Sequence, residues 1–332
     1  MCLAGLFDIA STPFKPYIIP AIHSNQKVLM NVVNKTRAIH VCRVLLVQVL
    51  IFVAILTTVW GSQRLYSLVD PVAFPEGYQI SSQMAATPEN DKGKGLLDAL
   101  TFQLRREMAS PLGWTGNDIL FNKYVLDNRA YRQYGVYVAT KTLVDHYSMV
   151  IAKLGSNDRE SDELHKARLN HFSISPQKFW FPSAEGSYEG GLKLLETYKN
   201  GLDSGKSVYN CRPDDVYSAF NLLLGDGMLG YALGLLQDSQ NLPFYTLDNR
   251  IYEAQGVALV VRDYVRALYT LYPEVTGKNN DDNMEKVLRY LDRIATYNPL
   301  YITAAVNSGE LIISYLMFVS NRLEDIRDSI RI

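Results

Sequence analysis

The stretch VLLVQVLIFVAILTTVW, residues 44–60, is the longest apolar run without a charge in this chain. Its polar residues are Gln48, Thr57 and Thr58. At about 1.5 Å of rise per residue, a helix of this length covers about 26 Å, close to the roughly 30 Å of a bilayer core. The alternative is a buried helix of a soluble protein, but such helices seldom run this far without a charge. The stretch therefore predicts one transmembrane helix.

The charges on either side of this run predict its orientation. Before it stand five basic residues and one acidic residue: Lys15, Lys27, Lys35, Arg37, Arg43 and Asp8. After it, residues 61–80 contain a single basic residue, Arg64. Positive charges stay on the cytoplasmic side of a membrane. We therefore expect residues 1–43 to be a cytoplasmic tail, and the larger part of the chain to lie in the periplasm, beyond a bacterial inner membrane. A cleaved signal peptide is the alternative, but no small-x-small cleavage site follows Trp60.

Composition narrows the possible functions. With 33 basic and 34 acidic residues the net charge is -1, so the chain has no strong field to recruit nucleic acid. The exported part contains one cysteine, Cys211, so its stability must come from core burial. Zinc-type clusters, a phosphate-binding glycine loop and a nucleophile elbow are all missing from the sequence. We therefore predict no catalytic residue, metal or cofactor; enzymatic activity stays open, and its absence is favoured.

The exported part is predicted to be mainly α-helical. Residues 61–95 form a juxtamembrane segment and a linker, because SSQMAATPENDKGKG at 81–95 has the composition of a flexible connection. The folded domain, 96–332, begins with apolar residues at helical spacing. Further helices are predicted at 128–154, 162–170, 187–202 and 212–240.

One motif occurs twice. LDNRAY at 126–131, followed by Gly135 and Val136, recurs as LDNRIY at 247–252, followed by Gly256 and Val257, so the offset is 121 residues in each case. This repeat predicts two related halves, about 113–205 and 238–327, joined by a glycine-bearing helix. Two copies are too few for a solenoid, so we expect a single pseudo-symmetric helical bundle.

The residue types in the motif predict helix initiation and close packing. Asp127 and Asp248 are expected to be N-caps, and the two glycines, two turns inside, to allow close approach of another backbone. Asn128 and Asn249 stand beside the caps as further candidate contacts. Arg129 and Arg250 would oppose the helix dipole, so each needs compensation. That compensation is either an ion pair with a nearby carboxylate, the other copy's aspartate among the candidates, or an anion bound between the two halves.

A second candidate contact region is the aromatic sequence 179–181. Phe179, Trp180 and Phe181 line a groove or, as we favour, plug one end of the bundle. Glu185, with Glu189, forms an acid pair that a glycosidase would use, although spacing of four on a helix produces such pairs by chance. Trp180 and Glu185 are therefore candidate ligand or partner contacts.

The order of these segments resembles a known family. A single N-terminal anchor followed by GWTGNDILF, LDNRAYRQYGV, FWFPSAEGSYEGGLKLLETY and YNCRPDDVYSAFNLLLG is similar to the uncharacterised bacterial inner-membrane proteins of domain of unknown function 2333. The resemblance spans residues 40–240. It implies an envelope protein with no assigned activity, catalytic residue or cofactor, and it does not include the proline-broken tail.

The sequence therefore predicts a single-pass membrane protein that is a structural or accessory subunit of an envelope complex. Its expected partners are the lipid bilayer and other proteins, or copies of itself, and no nucleic acid. One alternative is a periplasmic binding module for an anionic ligand held by Arg129 and Arg250. Another is a cell-wall hydrolase, which would need a carboxylate of raised pKa in a cleft.

Overall fold

The computed structural model describes residues 20–69, 76–118, 126–152, 160–277, 280–299, 301–303 and 305–330. The proline-broken tail, 1–19, lies outside the described residues. The chain divides into two compact units, Met1–Gly61 and Ser62–Ile332. Helix α1, Pro20–Val69, supplies the described part of the first unit and contains the predicted transmembrane stretch. Among the described side chains of its apolar segment Val33–Ser62, none is buried.

The second unit is helical, and its described part contains no β-strand. Its α-helices are α2 (Glu89–Ala109), α3 (Asp127–His146), α4 (Asp162–Lys166), α5 (Ala184–Asp203), α6 (Pro213–Leu224), α7 (Leu229–Leu236), α8 (Phe244–Leu271), α9 (Pro273–Thr276), α10 (Asp281–Ala295) and α11 (Glu310–Ile330). Helices α3 and α4 continue as single π-helical turns at Tyr147–Ile151 and Ala167–His171. The prediction of a mainly α fold is confirmed.

The expected linker at 81–95 is wrong. A 3-10 helix occupies Ser82–Ala86, and α2 begins at Glu89, seven residues before the predicted start of the folded domain. The small residues that suggested flexibility serve packing instead. Gly93 lies against the ring of Tyr209, and Gly95 lies against the side chain of Met84. This segment is therefore part of the folded unit.

The stretch predicted to be helical at 212–240 is interrupted at its glycines and forms two helices. Helix α6 ends at Leu224, Gly225 is extended, and α7 starts at Leu229. The combined stretch Pro213–Leu236 is long and apolar enough to span a membrane by composition. However, its inner face belongs to the core of the second unit, as shown by fully buried Val216, Phe220, Leu223, Leu229 and Leu236.

Helices α3 and α8 cross at the repeated glycines. A Cβ atom built on Gly135 would lie 1.9 Å from the carbonyl oxygen of Glu253. A Cβ atom built on Gly256 would lie 2.1 Å from the carbonyl oxygen of Arg132. Residues 132 and 253 are themselves separated by the repeat offset of 121. The predicted close approach of another backbone is confirmed at both glycines, and each copy of the motif supplies it for the other.

The remaining helices pack around this crossing. Helix α2 packs on α3, α5 and α8, and α11 packs on α6, α7 and α10. Tyrosines and leucines fill the space between these helices, among them fully buried Tyr147, Tyr188, Tyr198 and Tyr264.

We predict that Gly135→Ala destabilises the protein by about 3 kcal/mol, because the new methyl group collides with backbone atoms that lack room to retreat. Guanidinium unfolding of the detergent-solubilised chain measures this. Gly234→Ala is the matched control: it also lies in a helix, but nothing stands within 4 Å of its Cβ position. Equal stability of the two variants would contradict the crossing.

Candidate functional site

The first copy of the motif opens helix α3. Asp127 is the first helical residue and Leu126 is at the N-cap position, so the N-cap lies one residue before the predicted one. The carboxylate of Asp127 accepts a hydrogen bond from the N–H of Asn128 at 3.0 Å. The carbonyl of Leu126 accepts from the N–H of Ala130 at 3.0 Å. Asp127 therefore still supports the first turn of the helix.

The second copy lies inside a helix, so the predicted N-cap role of Asp248 is wrong. Helix α8 begins four residues earlier, at Phe244. Pro243 precedes it with φ of -57°, and its carbonyl accepts hydrogen bonds from Thr246 at 2.9 Å and Leu247 at 3.0 Å. Because the carbonyl of Pro243 accepts these first hydrogen bonds, the helix begins before the motif.

The two aspartates of the repeat interact with each other. Burial and then the negative charge of Asp127 raise the pKa of Asp248 to about 6. Burial, followed by the charges of Glu253 and of both aspartates, raises the pKa of Tyr131. Helices α3 and α8 therefore bring the beginnings of their two motif copies together.

The repeated asparagines lie beside these carboxylates in the sequence. The Oδ1 atoms of Asn128 and Asn249 are both buried, and neither has a hydrogen-bond partner among the described residues. The Nδ2 group of Asn249 donates to the carbonyl of Tyr245 at 2.8 Å. Carboxylates and amide oxygens accept hydrogen bonds, so this part of the structure suits a donor or a cation better than an anion.

Arg129 is compensated by a carboxylate outside the repeat. Only 4% of Arg129 is exposed, and its guanidinium lies 3.6 Å from the carboxylate of buried Glu107 on α2. It also donates to the Ser110 hydroxyl and, at 2.9 Å, to the carbonyl of Gly113. The Nε atom of Arg132 lies 2.9 Å from the same Glu107 carboxylate. The ion-pair interpretation is thus confirmed for Arg129, with Glu107 as the partner.

Gln133 completes this buried network. Its Nε2 group donates to Glu107 at 3.1 Å and to the carbonyl of Gly113 at 3.0 Å. Its Oε1 atom accepts from the N–H groups of Thr115 at 2.9 Å and Gly116 at 3.2 Å. The network joins α2, α3 and the loop between them. The sequence contained one signal for it, since Glu107 stands three residues after Leu104 on the buried face of α2.

Arg250 has different surroundings. It donates to the carbonyl of Leu235 in α7 at 3.2 Å. Burial raises the pKa of neighbouring Glu253, against the opposing effects of a hydrogen bond from Tyr231 and the charge of Arg250. At the repeat offset of 121, the position of Glu107 corresponds to Met228. The two arginines are therefore held by different elements, which gives no support to an anion shared between them.

The aromatic sequence does not plug the bundle. Trp180 is 78% exposed and Phe181 is 97% exposed. The loop behind them is fixed, because the indole of buried Trp114 donates to the carbonyl of Pro176 at 2.9 Å. Glu185 lies at the start of α5, and burial is the largest cause of its raised pKa. The residue pattern of 179–181 does not indicate how this loop packs, so the expectation that these rings plug the bundle is wrong.

One serine–histidine contact invites comparison with a hydrolase. His146 Nε2 lies 3.0 Å from the hydroxyl oxygen of Ser218. The Nδ1 atom of His146 is buried with no hydrogen-bond partner among the described residues, and Asp215 accepts hydrogen bonds from Arg212 instead. Burial lowers the pKa of His146 to about 4. A nucleophile of this type needs its histidine oriented by a third group, so the contact is structural.

The described residues contain no group of three histidine, cysteine, aspartate or glutamate side chains that could hold a metal ion.

We predict that Glu107→Gln destabilises the protein by about 3 kcal/mol, because it leaves the buried guanidinium groups of Arg129 and Arg132 without a counter-charge. Thermal unfolding of this variant and of a control variant measures the loss of stability. Glu285→Gln is the matched control, since it removes a pair with Arg289 whose side chains are 53% and 69% exposed. Exposed pairs contribute about 0–1 kcal/mol. Similar losses from both substitutions would contradict a buried network.

We predict that Asp248→Asn stabilises the protein at pH 8 by about 1–2 kcal/mol. Folding raises the pKa of Asp248 from 3.8 to about 6, so the carboxylate form opposes folding above pH 6 and the protonated form does not. The gain should shrink as the pH falls through 6 and vanish near pH 4. Unfolding curves across this range measure it, and an equal gain at both ends would contradict the account.

A match to a protein family includes the first copy of the motif and not the second. A family model described as uncharacterized protein conserved in bacteria (DUF2333) matches residues 33–221, more than half of the chain. The match begins within α1 and ends within α6, so it includes the Glu107 network and the aromatic loop. Comparisons with curated proteins and with solved structures found no match. By the extent of the family match, the chain belongs to the DUF2333 family of proteins conserved in bacteria.

Proposed function

We propose that this protein is a single-pass inner-membrane protein whose helical domain is a structural or accessory subunit of a bacterial envelope complex. The observation that supports this most strongly is helix α1. Its segment Val33–Ser62 is long and apolar enough to cross a membrane, and none of it is buried in the fold. The charges before the helix favour a cytoplasmic N-terminus and a periplasmic domain.

The side chains of α1 need an apolar cover. Leu46, Leu50 and Phe52 are 59%, 58% and 61% exposed. Burying each such side chain is worth about 1.5–3 kcal/mol, so a row of them is stable only against lipid or protein. The two threonines within the run are satisfied by the helix itself: the Thr57 and Thr58 hydroxyls donate to the carbonyls of Val53 and Ala54 at 2.9 and 2.8 Å. Internal hydrogen bonding of this kind suits a bilayer.

The second unit is, in this proposal, a duplicated four-helix bundle. One half comprises α2 to α5, and the other comprises α6 with α7, α8, α10 and α11. The helix contacts within the two halves correspond. In the first half α2 contacts α3 and α5; in the second, α7 contacts α8 and α6 contacts α11. Likewise α4 contacts α5, and α10 contacts α11. Two repeat pairs are buried in equivalent helices: Leu195 with Leu316, and Leu202 with Leu323. The halves then become 89–203 and 213–330, wider than the sequence predicted.

A rigid duplicated bundle on a membrane anchor suits a scaffold. The alternative of an anion-binding module would need arginines available to a ligand. Arg129 instead contacts Glu107 and the backbone of Gly113, so its charge is already compensated. We therefore favour the accessory subunit.

The test is extraction of the full chain from native membranes. We expect it to resist a carbonate wash and, in mild detergent, to co-purify with other proteins at fixed stoichiometry. A Leu50→Arg, Val53→Arg variant is the control, because each central arginine costs about 2.5–3.5 kcal/mol in the bilayer and should release the chain. Wild-type protein that washes off would refute the anchor. Wild-type protein that stays in the membrane but purifies alone would refute the accessory role.

A further inference from the structure

We propose that the end of the second unit that carries Phe179, Trp180 and Phe181 rests on the bilayer surface, with these rings among the lipid headgroups. We call this the aromatic end. The inference rests on the proposed function, because it requires the membrane anchor. It adds a contact surface and a partner: the lipid of the same membrane.

The exposure of the three rings is built into the fold. Phe179, Trp180 and Phe181 are 45%, 78% and 97% exposed. The Asn117 side-chain amide donates to the carbonyl of Lys178 at 3.1 Å, and the N–H of Ala184 donates to the same carbonyl at 2.9 Å. The loop is thus held on both sides of the rings. A fixed loop that presents three aromatic rings to solvent needs something to cover them.

Other exposed apolar side chains lie at the same end. Leu112 is 42% exposed and adjoins Gly113, which the Arg129 network holds. Phe244 and Tyr245 are 64% and 61% exposed at the start of α8. Tyr301 is 54% exposed and follows Asn298, whose side chain accepts from the Tyr252 hydroxyl in the first half of α8 at 3.3 Å. Tryptophan and tyrosine are enriched where a membrane meets water, because each ring has an apolar body and a polar group.

The path of the chain connects this end to the anchor. Met84 and Ile80 lie against Gly95 in the first half of α2. Further towards the N-terminus, the carbonyl of Glu76 accepts from Gln103 at 2.9 Å and from Arg106 at 3.1 Å, near the end of α2. From Met84 back to Glu76, the chain therefore runs along α2 towards Ala109 and the aromatic end.

The position of Glu76, where the chain joins α2, is fixed by a buried charged side chain. The guanidinium of Arg262, which is 2% exposed, donates to the Glu76 carbonyl at 2.9 Å. Six residues, 70–75, separate Glu76 from Val69, the last residue of α1. An extended chain of this length spans at most about 25 Å. The tether from the membrane thus joins the unit on the side of the aromatic end, which favours lipid over a protein partner.

Tryptophan fluorescence tests this directly. The chain has three tryptophans: Trp60 in α1, Trp114 in the core and exposed Trp180. The full chain is placed in phosphatidylcholine vesicles, without other proteins, whose acyl chains carry bromine near the headgroup. In a Trp60→Phe variant we expect bromine to quench most of the Trp180 emission. Removing Trp180 as well, by Trp180→Phe, should leave only buried, unquenched Trp114.

A third variant controls for unspecific adhesion. Met317→Trp, added to the double variant, places the reporter on an exposed position of α11 within the helix rather than at the aromatic end; Met317 is 53% exposed. We expect no quenching there. Equal quenching at 317 and 180 would overturn the inference, because the bundle would then touch lipid without preference for one end.

Trp180→Phe alone separates failure of this inference from failure of the proposed function. In this variant the fluorescence of Trp60, the last residue of the apolar run, reports whether the run is in the membrane. An unquenched Trp60 would refute the anchor and with it the contact. A quenched Trp60 together with an unquenched Trp180 would overturn only the contact of the aromatic end with lipid.

Discussion

The close crossing of α3 and α8 determines how the second unit is built. Glycine inside a helix costs about 1 kcal/mol relative to alanine, so two such residues at equivalent positions need a compensating gain. Here the gain is backbone-to-backbone packing: the Cβ positions of Gly135 and Gly256 lie 1.9 and 2.1 Å from carbonyl oxygens of the opposite helix. The other helices then cover the outer faces of this pair.

Around the shared crossing, the polar surroundings of the two motif copies differ. In one copy Arg129 contacts buried Glu107, whereas Met228 stands at the position that corresponds to Glu107 in the other. The apolar packing needs both copies to be alike, because each glycine faces the other's helix. Buried charges carry no such constraint, so Glu107 holds a loop beside the first copy of the motif. A separate network of Gln103 and Arg262 holds the segment at Glu76.

The sequence predicted what depends on local pattern. Helical spacing located most helices, and the repeat identified the glycines that approach another backbone. It failed where a residue outside the pattern decides the outcome. Pro243 starts α8 before the motif, so Asp248 is no cap. The Glu107 network joins residues of α2 and α3 that no periodicity links. The supposed linker folds because Tyr209, more than a hundred residues away, fills the space beside Gly93.

Nuclear Overhauser effects test the crossing most directly. In a deuterated chain with protonated glycine, we expect one cross-peak from the Gly135 Hα to the Val257 amide and a second from the Gly256 Hα to the Val136 amide. A Cβ atom built on Gly135 would lie 2.9 Å from the Val257 nitrogen, and one built on Gly256 would lie 2.8 Å from the Val136 nitrogen. Both peaks together would establish the reciprocal contact. If all four resonances are assigned and neither cross-peak is present, α3 and α8 do not cross at their glycines, and the account is wrong.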